Sequence, residues 1–471
     1  MHRLIRFVFV FLFLTLCSLH IYAQIPSPSP SPPPYQQQRY DEDWSYLRDP
    51  ERRTDSLDRL KYIPLKDRGW YVSLGGEARI RYEYFSEFAF GAGPQDSNGY
   101  LLQRYLLHAD CHLGKRVRVF TQLQSGIENG RKGGPRLTDD DRLELHQAFI
   151  DLKFGGETSS VVVRMGRHEM DLGAGRIISS GEGLNVKRSF DGVRLIWKTR
   201  RWITNAQVDK LTSVKLGIFN DTPDPALTYW GVGTTRSRPK HRAGESAFYI
   251  GLDRKHGLFD QGAGRETHHT FGFRSFGQYA RFDYNPDAFL QLGKFHALSN
   301  TSSIRAWAFS SDSGYSLSRS HIRPRLGLRA DITSGDRNPK DNVLETFNPL
   351  LPGTTYSDTI GLIGAPNSIG LFPNPRMVPL RGATVTVGSA FFWRQSTRDG
   401  IYNINVAPLR TGQLSSARYV GAQPSVRLDW PIQRHWSYTL IVSGFQTGRF
   451  LKETLPGKVT SYVTSWVTFK F

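Results

Sequence analysis

Residues 70–85 read Trp-Tyr-Val-Ser-Leu-Gly-Gly-Glu-Ala-Arg-Ile-Arg-Tyr-Glu-Tyr-Phe, and this stretch decides the fold. Its even positions, from Trp70 to Tyr84, are all aromatic, aliphatic or small. Its odd positions are mainly polar and include Ser73, Glu77, Arg79, Arg81 and Glu83. Successive side chains of a β-strand point to opposite faces of its sheet. The stretch therefore predicts a strand with one apolar face and one charged face.

Three further segments repeat this alternation, at residues 322–333, 421–430 and 436–449. In each of them the aliphatic and aromatic residues share one parity and the arginines share the other. The charged residues on these polar faces are Arg323, Arg325, Arg329, Asp331, Arg427, Asp429 and Arg449. Alternation of this kind at several places along the chain predicts an all-β protein.

Two all-β architectures fit the alternation: a soluble sandwich with its apolar faces packed together, and a membrane barrel with its apolar face outward. The polar faces are dense in arginine, which favours the barrel. The apolar faces also carry aromatic residues at strand ends, as the girdles of outer-membrane barrels do. These aromatics are Trp70, Tyr82, Tyr84, Trp430 and Trp436. We therefore predict a transmembrane antiparallel β-barrel of about 16–18 strands, closed by the strand that ends at Phe471.

The N-terminus has the three parts of a secretory signal peptide. Arg3 and Arg6 precede an apolar stretch at residues 7–19, and Ala23 supplies the small residue at the cleavage site. Residues 1–23 are therefore predicted to be a signal peptide. The alternative is an uncleaved anchor helix, but the apolar stretch is short for a membrane span. A mean hydropathy of −0.42 also argues against a helical membrane protein.

Residues 24–69 are predicted to form a Pro-rich tether and a charged N-terminal segment, followed by the barrel at residues 70–471. Proline and serine alternate at residues 26–34, which favours an extended spacer. The charged stretch at residues 35–65 contains too few apolar residues for a core of its own. We expect it to lie against the barrel.

The connections between predicted strands fall into a short and a long group. Residues 114–115 and 155–157 look like short periplasmic turns. The predicted long loops are 86–100, 128–142, 220–244 and 334–379. The last of these is far longer than a connection needs, and we expect it to fold over or into the pore. The alternation does not decide on which side of the membrane it lies.

Several stretches resemble one known family. Residues 163–176, Val-Arg-Met-Gly-Arg-His-Glu-Met-Asp-Leu-Gly-Ala-Gly-Arg, and residues 185–195, Asn-Val-Lys-Arg-Ser-Phe-Asp-Gly-Val-Arg-Leu, look like the signature of the alginate export family of outer-membrane β-barrels. Residues 74–83 and 324–329 are similar to the same family, as is the stretch at 41–47. The similarity extends over nearly all of the mature chain, although His168 stands where many relatives carry Gln or Glu.

The resemblance implies an 18-stranded, monomeric barrel in the Gram-negative outer membrane. It implies a channel for an anionic polysaccharide, alginate in the founding members, and a contact with periplasmic export machinery. The formal net charge of +19 agrees with an acidic substrate. Guanidinium groups inside a low-dielectric wall concentrate carboxylates and bind them bidentately, and rings of arginine select anions. The predicted function is therefore an anion-selective channel for an acidic polysaccharide, an oligosaccharide or another organic anion.

The predicted pore-lining residues follow from strand parity, supplemented by the family motif for Arg167, Arg176 and Arg188. They are Glu77, Arg79, Arg81, Glu83, Arg104, Arg118, Arg164, Arg167, Arg176, Arg188, Asp191, Arg194, Arg323, Arg325, Arg329, Asp331, Arg427, Asp429 and Arg449. An alternative interpretation is that pairs of Arg and Asp or Glu only hold the lumen rigid.

Other functions have weaker support. No Gly-x-Ser-x-Gly motif occurs, so we predict a protein that is not an enzyme, with an outer-membrane hydrolase as a minor alternative. A surface-binding or adhesion barrel is a second alternative. The export signal and the spread of charge along strands argue against a nucleic-acid partner. Candidate metal ligands at His108, Asp110 and His112, and a partial calcium loop at Asp336, Asn338 and Asp341, are incomplete, so neither a metal nor a cofactor is predicted.

Overall fold

The computed structural model describes residues 33–65, 69–96, 98–239, 242–297, 300–318, 322–353, 360–380 and 382–471. Within them, 18 antiparallel strands close into a single barrel, as predicted. The predicted signal peptide and residues 24–32 of the tether lie outside the described residues. No helix in the described ranges is long and apolar enough to cross a bilayer.

The barrel strands are numbered in chain order. They are β1 Tyr71–Ser86, β2 Tyr100–Leu113, β3 Val117–Asn129, β4 Asp141–Gly155, β5 Ser159–His168, β6 Phe190–Thr199, β7 Trp202–Ser213, β8 Thr222–Arg238, β9 Ala243–Phe259, β10 Gly262–Tyr279, β11 Pro286–Ala297, β12 Thr301–Ser316, β13 Arg325–Thr333, β14 Ser368–Pro373 continued by Arg376–Leu380, β15 Ala383–Arg394, β16 Tyr419–Pro431, β17 Trp436–Thr447 and β18 Thr460–Lys470.

Short strands and helices lie outside the 18 barrel strands. The short strands are Ile63–Pro64, Phe282–Tyr284, Val343–Leu344, Ile401–Tyr402 and Pro408–Arg410. The two described α-helices are Asp58–Lys61 and Arg449–Glu453, and the described 3-10 helices are Arg39–Asp41, Ser45–Arg48, Pro50–Arg52, Phe88–Gly91, Gly173–Gly175 and Gly412–Leu414.

The first and last strands close the barrel. Glu77 to Ser86 of β1 pair antiparallel with Lys470 to Ser461 of β18. Gly76 and Phe471 extend this ladder by exchanging two backbone hydrogen bonds of 2.9 and 3.0 Å. Arg39 of the N-terminal segment then donates to the carbonyl oxygens of both Gly76 and Phe471, at 3.0 and 2.7 Å. The seam therefore leaves no open edge between these strands.

The connections at one end of the barrel are short and most of those at the other end are long. The long ones include residues 169–189, 334–367 and 395–418, whereas the turns 200–201 and 114–116 lie at the opposite end. Outer-membrane barrels have short periplasmic turns and longer extracellular loops. Both described chain ends therefore lie at the periplasmic end, and the long loop after β13 belongs to the extracellular end.

Three predicted boundaries were wrong. Most of residues 220–244 belong to β8 rather than to a loop, because Pro223 and Pro225 lie at the start of the strand, where proline is tolerated. The loop predicted at 334–379 ends at 367, since β14 follows it, interrupted near Pro375, which cannot donate to the ladder. Strand β13 begins only at Arg325, directly after Pro324.

Candidate functional site

The lumen receives the charged face of the strands, as the alternation predicts. Glu77, Arg79 and Glu83 of β1 are buried, whereas Ile80 between them is 55% exposed on the outer wall. The same division continues around the barrel, where the outer wall exposes Leu107, Ile150, Val193, Val208, Phe273, Leu290, Trp307, Leu326 and Val426. Arg79 therefore points away from the apolar outer surface.

The loop 169–189 descends into this lumen after the short strand β5. Three arginines of β1 and β2 hold it there by donating to its backbone carbonyls. Arg79 donates to the carbonyls of Glu182 and Leu184, at 3.1 and 2.5 Å, and Arg104 donates to the same two at 2.9 Å each. Arg81 donates to the carbonyl of Gly183 at 2.9 Å. We call residues 169–189 the constriction loop.

A buried ionic network ties the constriction loop to the wall. Arg104 bridges Glu77 and Glu182, with Nη2–Oε1 distances of 2.5 and 2.9 Å. Lys187 bridges Glu182 and Glu169, at 3.1 and 2.8 Å, and Glu169 also contacts His146 at 2.8 Å. Burial alone would raise the pKa of the Glu182 carboxyl, but Lys187 and Arg104 hold this pKa well below its usual range. The network thus stays ionised at neutral pH.

The charged N-terminal segment occupies the periplasmic end of the lumen. Tyr40 packs edge-on against Phe120 and Phe149, with ring centroids 6.0 and 5.4 Å apart. The Arg164 guanidinium lies 4.1 Å from the centre of the Tyr40 ring. The Tyr40 hydroxyl donates to the carbonyl of Glu169, at 2.7 Å. The N-terminal segment therefore meets the constriction loop inside the barrel.

The long loop 334–367 reaches the constriction loop from the extracellular end. Ser179 N–H donates to the Leu351 carbonyl, and Leu351 N–H donates to the Ile177 carbonyl, both at 2.9 Å. Its buried residues Leu344 and Phe347 join a cluster that includes inward-facing Phe289 of β11. The predicted inward folding of this loop therefore agrees with its described contacts.

Arg188 occupies the junction of these two loops. Its Nη1 donates to the carbonyls of Ser179, Leu351 and Pro352, at 3.3, 3.1 and 3.1 Å. Its Nε and Nη2 make no hydrogen bond to any described residue, and no described carboxylate lies within 4.0 Å of it. Burial lowers the pKa of the guanidinium to about 10, so it remains charged at neutral pH.

Two cavities meet at Arg188. One, of about 340 Å³, lies between the constriction loop, Gln37 of the N-terminal segment and Gly353 of the long loop. The other, of about 80 Å³, is lined mainly by apolar side chains and by Arg254. Arg188 and Ile404 line both cavities. The unbonded edge of Arg188 thus lies between two cavities, where the constriction loop meets the long loop.

Most other predicted pore residues form ion pairs with neighbours. The pairs are Arg81–Glu83, Arg118–Asp110, Arg164–Asp151, Arg167–Asp191, Arg176–Asp287, Arg325–Asp283, Arg329–Asp331 and Arg427–Asp429. Arg79 and Arg194 have no carboxylate within 4.0 Å among the described residues, and Arg194 instead donates to Asn205 at 3.0 Å. The paired arginines fit the rigid-lumen interpretation, whereas Arg188 does not.

Two predicted residues lie outside the lumen wall. Arg449 lies in the short helix after β17 and is paired with Glu453, with its side chain 78% exposed. Arg323 precedes β13 in a turn and is exposed, with a positive φ of 41°. In both cases strand parity was extended past the end of the strand, where it no longer holds.

Sequence reasoning missed the residues that lock the constriction loop. Glu182, Lys187, Glu169 and His146 are central to the ionic network, yet none was predicted as a pore residue. Glu169 and Lys187 lie in the family-like stretches 163–176 and 185–195, which were the available signals. The three candidate metal ligands have other partners. Asp110 binds Arg118 and His112, while His108 stacks on Phe120. No metal-binding cluster occurs among the described residues.

Replacing residues 340–362 by a short Gly-Ser linker is expected to raise single-channel conductance about twofold or more, because an 18-stranded barrel without inward loops holds a wide aqueous lumen. The deletion removes Leu351 and its backbone bonds to the constriction loop. The matched control replaces residues 215–220, whose Ile218 and Phe219 are exposed. An unchanged conductance in a correctly folded deletion variant would show that the long loop does not limit conduction.

Comparisons with known proteins agree with this geometry. The sequence model for alginate export matches residues 70–464. No curated protein matches the chain in sequence. A BenF-like porin from Pseudomonas fluorescens Pf-5 has a similar fold, with a TM-score of 0.57 and 8% identity over 86% of this chain and 99% of that one.

Two porins from Pseudomonas aeruginosa are also similar in fold. OpdK, crystallised with vanillate, has a TM-score of 0.55 and 9% identity over 84% of this chain and 98% of that one. OccD3 (OpdP) has a TM-score of 0.55 and 11% identity over 85% and 91%. The family match covers most of the chain, and the barrel is similar in fold to those of the porins. The chain belongs to the alginate export family and is a channel-type β-barrel of the Gram-negative outer membrane.

Proposed function

We propose that this channel is anion-selective and passes an acidic polysaccharide or oligosaccharide through the passage beside Arg188. The observation that carries the proposal is the unbonded Nε–Nη2 edge of Arg188 between two cavities. This edge of a guanidinium matches the two oxygens of a carboxylate. The other lumen arginines supply a positive field, although acidic partners hold most of them.

The balance of paired and unpaired cations suits a polymer that must move. A carboxylate on every sugar would bind too tightly to a lumen of bare arginines, because conduction requires sites that release as well as bind. Arginines already bound to aspartate or glutamate are charge-compensated, so they line the path without forming a second bidentate pair with the polymer. The unbonded edge of Arg188 then selects for charge.

Passage of a smaller organic anion is the second candidate function. The cavity of about 80 Å³ is lined by Leu227, Tyr229, Leu252 and Leu350, beside the two guanidinium groups of Arg188 and Arg254. An apolar wall with convergent cations suits an aromatic carboxylate. The fold is also that of a porin crystallised with vanillate, although at 9% identity.

Planar-bilayer recordings of the purified protein test both candidates. We expect reversal potentials in a KCl gradient to show an anion preference. Uronate oligomers should block the current more strongly as their length increases, whereas neutral oligosaccharides of equal length should not. Block by vanillate with none by uronate oligomers would favour the second candidate. A cation preference, or equal block by the neutral sugars, would contradict the proposal.

A further inference from the structure

A row of polar side chains crosses the outer wall, where a lipid-facing barrel is expected to be apolar. The strand registers place its members opposite one another on six neighbouring strands. Lys210 of β7 pairs with Thr228, Thr228 with Asp253, Asp253 with Thr267, Thr267 with Lys294, and Lys294 with Ser303 of β12.

The outward direction of this row follows from its buried neighbours. Thr267 lies between Glu266 and His268, which are 1% and 0% exposed inside the barrel. Phe295, next to Lys294, is 2% exposed and belongs to the interior cluster. Since successive side chains alternate, Lys294 and Thr267 point to the outside.

Further basic residues flank the row on the same wall. Arg305 lies opposite Leu292, one step closer to the middle of the barrel, and Arg265 lies opposite His296, one step closer to the loops. Diagonal neighbours on adjacent strands are about 7–8 Å apart, which places Lys294 beside Arg305. We call Lys210, Arg265, Lys294, His296 and Arg305 the basic belt.

The belt has little acidic compensation. Arg265 pairs with Asp253, at 2.7 Å between Nη2 and Oδ2. Among the described residues, no carboxylate lies within 4.0 Å of Lys210, Lys294 or Arg305. These three cations therefore face the surroundings of the barrel without a partner from the described chain.

The height of the belt follows from strand geometry. Tyr279 of β10 and Tyr315 of β12 are 81% and 47% exposed near the periplasmic turns. About ten residues separate Tyr315 from Arg305, which at 3.3 Å per residue and a tilt of about 40° corresponds to roughly 25 Å of height. This is the height of the apolar band of such barrels, and on β12 Trp307 and Phe309 lie in its upper half, followed on the same face by Ser311 and Ser313. Arg305 thus marks its extracellular edge, and Lys294 lies at the level of the outer-leaflet headgroups.

We propose that the basic belt binds the phosphate groups of a phosphorylated glycolipid in the outer leaflet. Phosphate oxygens accept strong, charge-assisted hydrogen bonds from Lys and Arg, and the hydroxyls of Thr267 and Ser303 lie between these cations. Six strands spaced about 4.8 Å apart span roughly 24 Å, which is wide enough for a headgroup with two phosphates. The barrel wall separates this site from the lumen, so the proposal is independent of the transported substrate.

Binding of purified lipids to the full-length, folded protein in detergent tests the proposal. The ligands are bis-phosphorylated lipid A, the same lipid with both phosphates removed, and phosphatidylglycerol. The double variant Lys294→Gln/Arg305→Gln is expected to bind bis-phosphorylated lipid A at least about tenfold more weakly than the wild type. The matched control Lys132→Gln/Arg142→Gln removes two exposed cations near the same end of the barrel, outside the belt.

A charge-retaining variant, Lys294→Arg/Arg305→Lys, separates loss of charge from loss of folding and should bind as the wild type does. Heat-modifiable mobility in gels reports the fold of every variant. Equal binding of the dephosphorylated lipid or of phosphatidylglycerol by the wild type would overturn the proposal. So would an equal loss of affinity in the belt variant and the matched control.

Discussion

Replacing Arg188 by Gln is expected to weaken block by an acidic oligosaccharide about 10–100-fold, because a hydrogen bond to a charged group contributes about 1.5–3 kcal/mol. The amide group of Gln can still donate to one of the carbonyls that Arg188 binds, so the loops should remain in place. Arg188→Lys keeps the charge but cannot form a bidentate pair with a carboxylate, so we expect an intermediate weakening of block. The measurement is the concentration of uronate oligomer that halves the single-channel current.

The matched control for this variant is Arg427→Gln. Arg427 faces the lumen but is already bound to Asp429, with Nε–Oδ2 at 2.6 Å. We expect its replacement to change block by less than about threefold, because only the long-range field is reduced. Block in the wild type should also weaken at 1 M salt, where the Debye length falls to about 3 Å. If both arginine variants behaved alike, Arg188 would have no special place in selectivity.

The second large effect is expected from Arg104→Ala. The substitution leaves the buried Glu77 and the half-buried Glu182 with less compensating charge, and breaking the buried Arg104–Glu77 pair costs about 3–5 kcal/mol. It also removes two hydrogen bonds to the constriction loop. We expect a lower free energy of unfolding in lipid vesicles and noisier single-channel currents, since the loop then has fewer anchors.

The double variant Arg104→Ala/Glu77→Gln distinguishes a stranded charge from a simple loss of packing. Neutralising Glu77 should recover a large part of the lost stability, because the amide needs no counter-charge. The exposed ion pair Arg449–Glu453 supplies the control. Arg449→Ala should leave the free energy of unfolding unchanged. If the double variant were as unstable as Arg104→Ala, the ionic network would not be what holds the constriction loop.

The sequence predicts the strands of the barrel wall better than the loops and the side-chain contacts inside the lumen. Alternation at residues 70–85 predicts that Arg79 and Arg81 face inward, because parity is a local property of a strand, and in the structure both donate to the constriction loop. The same rule failed for Arg323 and Arg449, since it was carried beyond the strand ends. Pro223 and Pro225 led to a loop being predicted where β8 begins, because proline at a strand start resembles proline in a loop.

The partners of the lumen arginines could not have been predicted from the same pattern. Arg79 donates to carbonyls more than a hundred positions along the chain, at Glu182 and Leu184. Backbone carbonyls carry no residue-specific signal, so only the folded loop reveals them. For this reason neither strand parity nor the family motif separates Arg188, whose Nε and Nη2 are unbonded, from Arg104, whose three nitrogens all donate.

The Arg39 bridge across the seam of β1 and β18 also constrains how the barrel forms. The hydrogen bond from Arg39 to the Phe471 carbonyl joins residues 432 positions apart. Contacts between such distant residues form slowly, because the loop-closure entropy must be lost first. Until they form, β1 and β18 are unpaired edges that can aggregate. A chain without β18 would lose both the seam and the Arg39 bridge. The barrel can therefore close only after β18 has been synthesised and exported.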